Sequence, residues 1–161
     1  MSGKSGRHIH VFLFCILSEM KVSDIMVKNP VIVDPNTSCG RIARLMRDHK
    51  IGSVILATEG KPVGIVTERD LVHRVMALEK DPDMCYAHQV SSKPVVAVGV
   101  HADVDMVVDI MNDYKIRRIV VVDEKDKIVG IVTTDDLSKA LREMSEELAV
   151  KYHIIAQRLR S

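Results

Sequence analysis

The chain has no tryptophan, and its aromatic residues (Phe12, Phe14, Tyr86, Tyr114 and Tyr152) make up 3% of it. A surface that holds single-stranded nucleic acid by base stacking needs exposed rings, so this scarcity argues against that partner. An excess of one charge is missing too. Lys plus Arg is 23 and Asp plus Glu is 22, a formal net charge of +1, so no overall field steers the molecule to a polyanion. Cysteine is sparse: Cys15, Cys39 and Cys85 are odd in number and form no CxxC or Cys/His cluster. A disulfide framework or structural zinc is not expected, and a reducing cytoplasmic setting is. The longest apolar run, residues 11–17 (VFLFCIL), is far short of the roughly 20 residues that cross a bilayer. Ser18-Glu19-Met20 follows it in place of a small-residue cleavage site, so neither a membrane span nor secretion is expected.

Catalytic signatures are absent as well. The 7 histidines are scattered, with no HExxH, and no GxSxG elbow occurs. His8 and His10 form only an i, i+2 pair on a terminal arm, and Gly3-Lys4-Ser5 lacks the upstream glycine of a phosphate-binding loop. Residues 1–20 read as an N-terminal extension, a tag remnant or an upstream start, with Met20 as an alternative initiator. No enzyme activity is expected. What is present is a composition of 47% hydrophobic and 28% charged residues over 161 positions. That suits one soluble domain, or two small halves packed closely together.

The chain repeats itself. Gly64-Ile65-Val66-Thr67-Glu68-Arg69-Asp70-Leu71 returns 66 residues later as Gly130-Ile131-Val132-Thr133-Thr134-Asp135-Asp136-Leu137, with six of the eight positions identical. Upstream, Pro30-Val31-Ile32-Val33 matches Pro94-Val95-Val96-Ala97 at an offset of 64, and Lys50-Ile51 matches Lys115-Ile116 at 65. So small a drift marks a duplicated subdomain. In each copy a β-branched run (31–33; 95–98) precedes a helical pattern (Ile42, Leu45, Met46, His49; Val104, Val107, Val108, Met111). A strand (53–57; 118–122), a hairpin-sized polar turn and a second strand (63–66; 128–132) lead into a helix opening at Thr67 or Thr133. The expected fold is α/β (α+β), two β-α-β-β-α repeats packed about a pseudo-two-fold axis. Repeat 1 is placed at 21–79, a connector at 80–88, repeat 2 at 89–142 and a C-terminal helix extension at 143–161. Leu137, Leu141, Met144, Leu148, Tyr152, Ile155 and Leu159 form one apolar stripe on that helix, which either packs back on its own domain or mediates a homodimer.

Thr67 with Asp70, and Thr133 with Asp136, fall where a strand becomes a helix. Thr followed three residues later by an acid has capping-box spacing, and a cap alone accounts for it. The same turn can also bind: a helix start holds phosphate through free N–H groups, and a carboxylate accepts two bonds from a sugar diol.

The doubled Gly-hydrophobic-hydrophobic-Thr-x-x-Asp motif, the Pro-Val-hydrophobic start and the β-α-β-β-α order resemble a pair of CBS domains, named for cystathionine β-synthase and called a Bateman module. The resemblance covers about residues 22 to 140. It implies two clefts between the repeats that bind adenosine-containing ligands (AMP, ADP, ATP or S-adenosylmethionine), with no cofactor required. Asp would take the ribose hydroxyls and Thr would lie near phosphate. Carried over by position, one cleft comprises Thr133, Asp136 and Ile131 with Asn29, Val31 and Ile51. The other comprises Thr67, Asp70 and Ile65 with Lys93, Val95 and Ile116. Arg117 and Arg118 replace Gly52 and Ser53 of the first copy, and a basic pair there contacts phosphate in related modules. Neighbouring strand residues face opposite ways, so at most one arginine is expected in a given cleft; the family pattern implies Arg118 for the Asp136 cleft and Arg117 for the other. An ion pair of either arginine with Asp113 or Asp123 is the plainer alternative. The Asp136 cleft is expected to bind a phosphorylated ligand more tightly.

The implied function is a stand-alone, non-catalytic regulatory module that signals to an effector protein in another chain and self-associates as a homodimer. The alternatives are a dimerisation scaffold whose Thr-x-x-Asp turns are only caps, and a nucleic-acid-associated regulator. The latter has Arg117-Arg118 and a basic C-terminus in its favour but no recognition-helix motif.

Overall fold

A computed structural model describes residues 19–158. The 11–17 run, His8, His10 and Cys15 lie outside the described residues, as do the side chains of Tyr152, Ile155 and Leu159. In chain order the elements are α1 (Val22–Ile25), β1 (Val27–Lys28), β2 (Ile32–Val33), α2 (Cys39–His49), β3 (Ser53–Thr58), β4 (Lys61–Thr67) and α3 (Glu68–Arg74). After a 3-10 turn, Met76–Leu78, come α4 (Ala87–Val90), β5 (Ala97–Gly99), α5 (Val104–Tyr114), β6 (Arg118–Val122), β7 (Ile128–Thr133) and α6 (Thr134–Arg158). The mixed α+β fold has the doubled β-α-β-β-α order that the repeat dictates.

Helices α2 and α5 lie where apolar residues recur at helical spacing. Ser38 caps α2 by accepting from the Arg41 amide at 3.3 Å. Both helices end on a lysine in the left-handed region, Lys50 at φ 53° and Lys115 at φ 54°, a place usually given to glycine. This turn swings each following Ile (Ile51, Ile116) back under its helix. The β3–β4 connection is the two-residue turn Glu59-Gly60, with φ 52° and 79°, the doubly positive geometry of a type I′ hairpin.

The halves exchange their leading segments. One sheet runs β2-β3-β4 and the other β1-β7-β6-β5, so β1, from the start of the chain, pairs antiparallel with β7 near its end. Val22 of α1 is fully buried among Val98, Val104, Val107, Ile119 and Val132, all from the other repeat. Its amide donates to the Ala102 carbonyl at 2.8 Å, and the Val104 amide to that of Met20 at 2.9 Å. The mirror exchange places Ala87 and Val90 of α4 in the first repeat's core beside Ile42, Met46 and Leu56, with Ser92 bridging Ile65. A third cluster, Ile55, Val120 and Ile131, seals the seam between the sheets.

The exchange explains the glycine of the repeated motif. A Cβ on Gly130 would stand 2.5 Å from Met26 Sδ and 3.1 Å from the Val27 carbonyl oxygen; on Gly64 it would stand 3.0 Å from Ser91 Oγ. Gly130→Ala is expected to cost about 1–3 kcal/mol by overpacking, because the Val27 backbone is fixed in the sheet. A lower urea midpoint with unchanged slope is the readout.

Cys39 and Cys85 are buried free thiols in the first core, joined through the Cys39 amide and the Cys85 carbonyl at 2.7 Å. Burial, then the Cys85 side chain, pushes the Cys39 thiol up to about 12. An unfolded thiol titrates near about 8.5. The stability from this group is therefore complete below about pH 8.5 and is lost as pH rises through the folded value. In a Cys15→Ser background, Cys39 should stay unlabelled by iodoacetamide at pH 8 until denaturant is added, and denaturant midpoints should fall from pH 8 to 11.

The stripe on α6 is unevenly covered among the described residues. Leu137 is buried, Met144 and Leu148 are half-buried, and Leu141 is 37% exposed.

Candidate functional site

Two cavities open between the repeats, both at the strand ends remote from the hairpin turns. One, of about 910 Å³, is lined by Asn29, Val31, Ile51, Ile131, Thr133 and Asp136 together with Ile55, Glu68, Arg117 and Arg118. The other, of about 450 Å³, is lined by Thr67, Asp70, Ile65, Val95 and Ile116 with Ser92, Glu68, Arg117 and Arg118. Both volumes fall within the roughly 300–1,000 Å³ typical of small-molecule sites. Of the residues assigned from the sequence, Lys93 alone is not in a cavity wall. It is exposed, and Ser92 and Pro94 on either side line the space instead.

Both Thr-x-x-Asp turns are caps. The Thr67 amide and hydroxyl donate to Asp70 Oδ2 at 2.9 Å each, and the Asp70 amide returns to Thr67 Oγ1 at 3.1 Å. In the second repeat the Thr133 amide and hydroxyl donate to Asp136 Oδ2 at 2.8 and 2.7 Å, and the Asp136 amide to Thr133 Oγ1 at 3.3 Å. The amides of Glu68 and Thr134 donate to the Gly52 and Arg117 carbonyls at 3.1 and 3.0 Å. Capping therefore uses one carboxylate oxygen and much of each helix start. It leaves the second oxygen of Asp136 without a protein partner among the described residues.

Arg117 and Arg118 do not divide between the cavities as strand alternation implied. Both line both. Strand β6 begins only at Arg118, so alternation does not constrain Arg117, and the cavities meet at the wall these two side chains form with Gly52 and Glu68. Neither arginine has an ion-pair partner within 4 Å among the described residues, so the pairing with Asp113 or Asp123 is not formed. Arg118 Nη1 donates to the Gly52 carbonyl at 3.0 Å. Burial, then the neighbouring Arg117 charge, draws its guanidinium below the ordinary value, with Glu68, Asp135 and Asp70 acting the other way. An anion at this wall would offset both effects.

Sequence reasoning missed Glu68, Lys50, Lys115 and Ile55 as wall residues. Glu68 follows the motif Thr, and Lys50 and Lys115 recur in register, so these three were findable; Ile55 looked like any core strand residue. Among the described residues no cluster of three or more His, Cys, Asp or Glu could hold a metal ion, and no helix is long and apolar enough to cross a membrane.

A family model described as CBS domain matches residues 22–77 and 87–143. An uncharacterised protein of Methanopyrus kandleri is 37% identical over 122 residues, which are 75% of this chain and 62% of that protein, so this chain spans under two thirds of that relative. Among solved structures, the CBS domain pair of a protein named MJ0100, in complex with 5′-methylthioadenosine and S-adenosyl-L-methionine, aligns with a TM-score of 0.69 at 30% identity. The alignment covers 76% of this chain and 99% of that one. A CBS domain protein from Pyrobaculum aerophilum complexed with AMP aligns at 0.67 and 25% identity, over 73% and 90% of the two chains. With two family matches falling on the two halves of a duplicated fold, the chain belongs to the CBS domain family and carries a tandem pair.

Proposed function

We propose that this CBS pair is a regulatory module that takes an adenosine-containing ligand, such as AMP, ADP, ATP or S-adenosylmethionine, in the larger cavity and passes the change to an effector protein. The observation that carries the reading is the oxygen of Asp136 that, among the described residues, has no partner, beside a cavity of about 910 Å³ whose wall holds two arginines with no ion-pair partner among those residues. The division of labour follows from side-chain chemistry. Asp136 accepts the two ribose hydroxyls, and Val31, Ile51, Ile55 and Ile131 give the base an apolar slot. Arg117 and Arg118 take phosphate in charge-assisted bonds, with Thr133 and the start of α6 beside them. Both solved relatives described above hold adenosine compounds, which supports the same ligand class here. Ligand binding changes the angle between the halves to the extent that the two arrangements differ in affinity. Self-association through α6 belongs to the same reading.

A thermal-shift panel of AMP, ADP, ATP, S-adenosylmethionine and NADH tests it. A ligand at a hundredfold excess over Kd should stabilise the protein by about 2.7 kcal/mol. No response to any adenosyl compound would favour the scaffold alternative.

A further inference from the structure

The two cavities are not equivalent, and the difference lies in one side chain that the repeat does not share. Arg74, at the end of α3, reaches back one turn so that its Nη1 lies 3.4 Å from Asp70 Oδ1. The same nitrogen donates to the Val90 carbonyl at 2.6 Å and lies 3.4 Å from Ser92 Oγ. Ser92 Oγ in turn stands 3.5 Å from Asp70 Oδ1. Asp70 therefore has one oxygen spent on the Thr67 cap and the other facing a guanidinium and a hydroxyl, and it is only 8% exposed. Arg74 is tied to α4, whose Val90 is fully buried, so turning it away would strip a partner from that carbonyl.

Among the described residues nothing equivalent guards Asp136. Ala140 stands 66 residues after Arg74 and has no side chain to reach the carboxylate, and Val27 pairs with Ile131 as Ser92 pairs with Ile65. Asp136 is correspondingly more open than Asp70.

We propose that Arg74 is a specificity-determining residue that latches Asp70 away from ligand, so that the protein binds one nucleoside in the Asp136 cavity and none in the Asp70 cavity. The inference rests on the proposed adenosine-binding function. Its chemical basis is that a vicinal diol needs a carboxylate with an accessible oxygen, and an arginine already neutralising that oxygen competes for it.

Isothermal titration with AMP and with adenosine tests the latch. Wild type should bind one equivalent, and Asp136→Ala should weaken that binding on the order of 100-fold. Arg74→Ala should bind two, and the Arg74→Ala/Asp136→Ala double variant should bind one. Adding Asp70→Ala to Arg74→Ala should return the stoichiometry to one. Arg74→Gln, which keeps the aliphatic stem and a donor toward Val90, covers the case in which Arg74→Ala unfolds and should also bind two. Two equivalents on wild type, or one on every folded Arg74 variant, would overturn the latch while leaving adenosine binding intact. No binding by wild type or any variant would overturn the functional reading and the latch together.

Discussion

Asp136→Ala should weaken AMP binding on the order of 100-fold, or about 2.7 kcal/mol at 1.4 kcal/mol per decade. Two hydroxyl donors lose an ionised acceptor, and bonds to charged groups contribute about 1.5–3 kcal/mol each without adding fully. The same substitution removes the carboxylate half of the cap on α6, which costs up to about 1 kcal/mol of folding stability and confuses a thermal readout. Asp136→Asn separates the two. It keeps the shape and an acceptor for the Thr133 amide but not the charge, so the melting temperature should barely move while calorimetric affinity still falls. Asp70→Ala in the same titration measures the asymmetry of the two cavities, and equal losses for Asp136→Ala and Asp70→Ala would reject it.

Val22→Asp should destabilise the protein by about 3–5 kcal/mol, the cost of an unpaired buried charge. Val22 sits in the first repeat by sequence, yet its fully buried side chain packs on Val98, Val104, Val107, Ile119 and Val132 of the second. Hydrogen exchange should therefore accelerate first in α5, β6 and β7, while α2 and β3 stay protected. Faster exchange confined to α2 and β3 would mean that α1 belongs to its own repeat in solution. No compensating partner is at hand, because the Ala102 and Met20 carbonyls beside Val22 are acceptors already in use.

The repeat made most of this fold legible. Strands 53–58, 61–67, 118–122 and 128–133, and helices α2 and α5, stand where β-branched runs and helical spacing put them. The exchange of leading segments was not legible, because a four-residue helix such as Val22–Ile25 carries too few apolar positions to show which core it enters. The expected connector 80–88 overlaps residues that the first core buries, Cys85 and Ala87, for the same reason. At the site, the Thr and Asp of each motif could be placed from local spacing alone. Lys93 could not: its counterpart Asn29 takes φ 52° and lines its cavity, whereas Lys93 is exposed, a backbone difference that the aligned triplets Lys28-Asn29-Pro30 and Ser92-Lys93-Pro94 do not show. The Arg74 contact was beyond reach of the motif because it depends on Val90 and Ser92, which come from a segment 16–18 residues downstream.

The hairpin turns have a mechanical corollary. Lys127 Nζ donates to the Glu59 carbonyl, and the Ile128 amide to that of Gly60 at 3.1 Å, so the two sheets are pinned to each other at the end away from the cavities. That pin is a fulcrum. Anything that spreads the cavity end swings α6 from its root at Thr134, and a helix of 25 residues is a pointer roughly 37 Å long. A tilt of about 10° at the root displaces its far tip by roughly 6 Å over that length, so a slight opening at the base is magnified at the helix's far end.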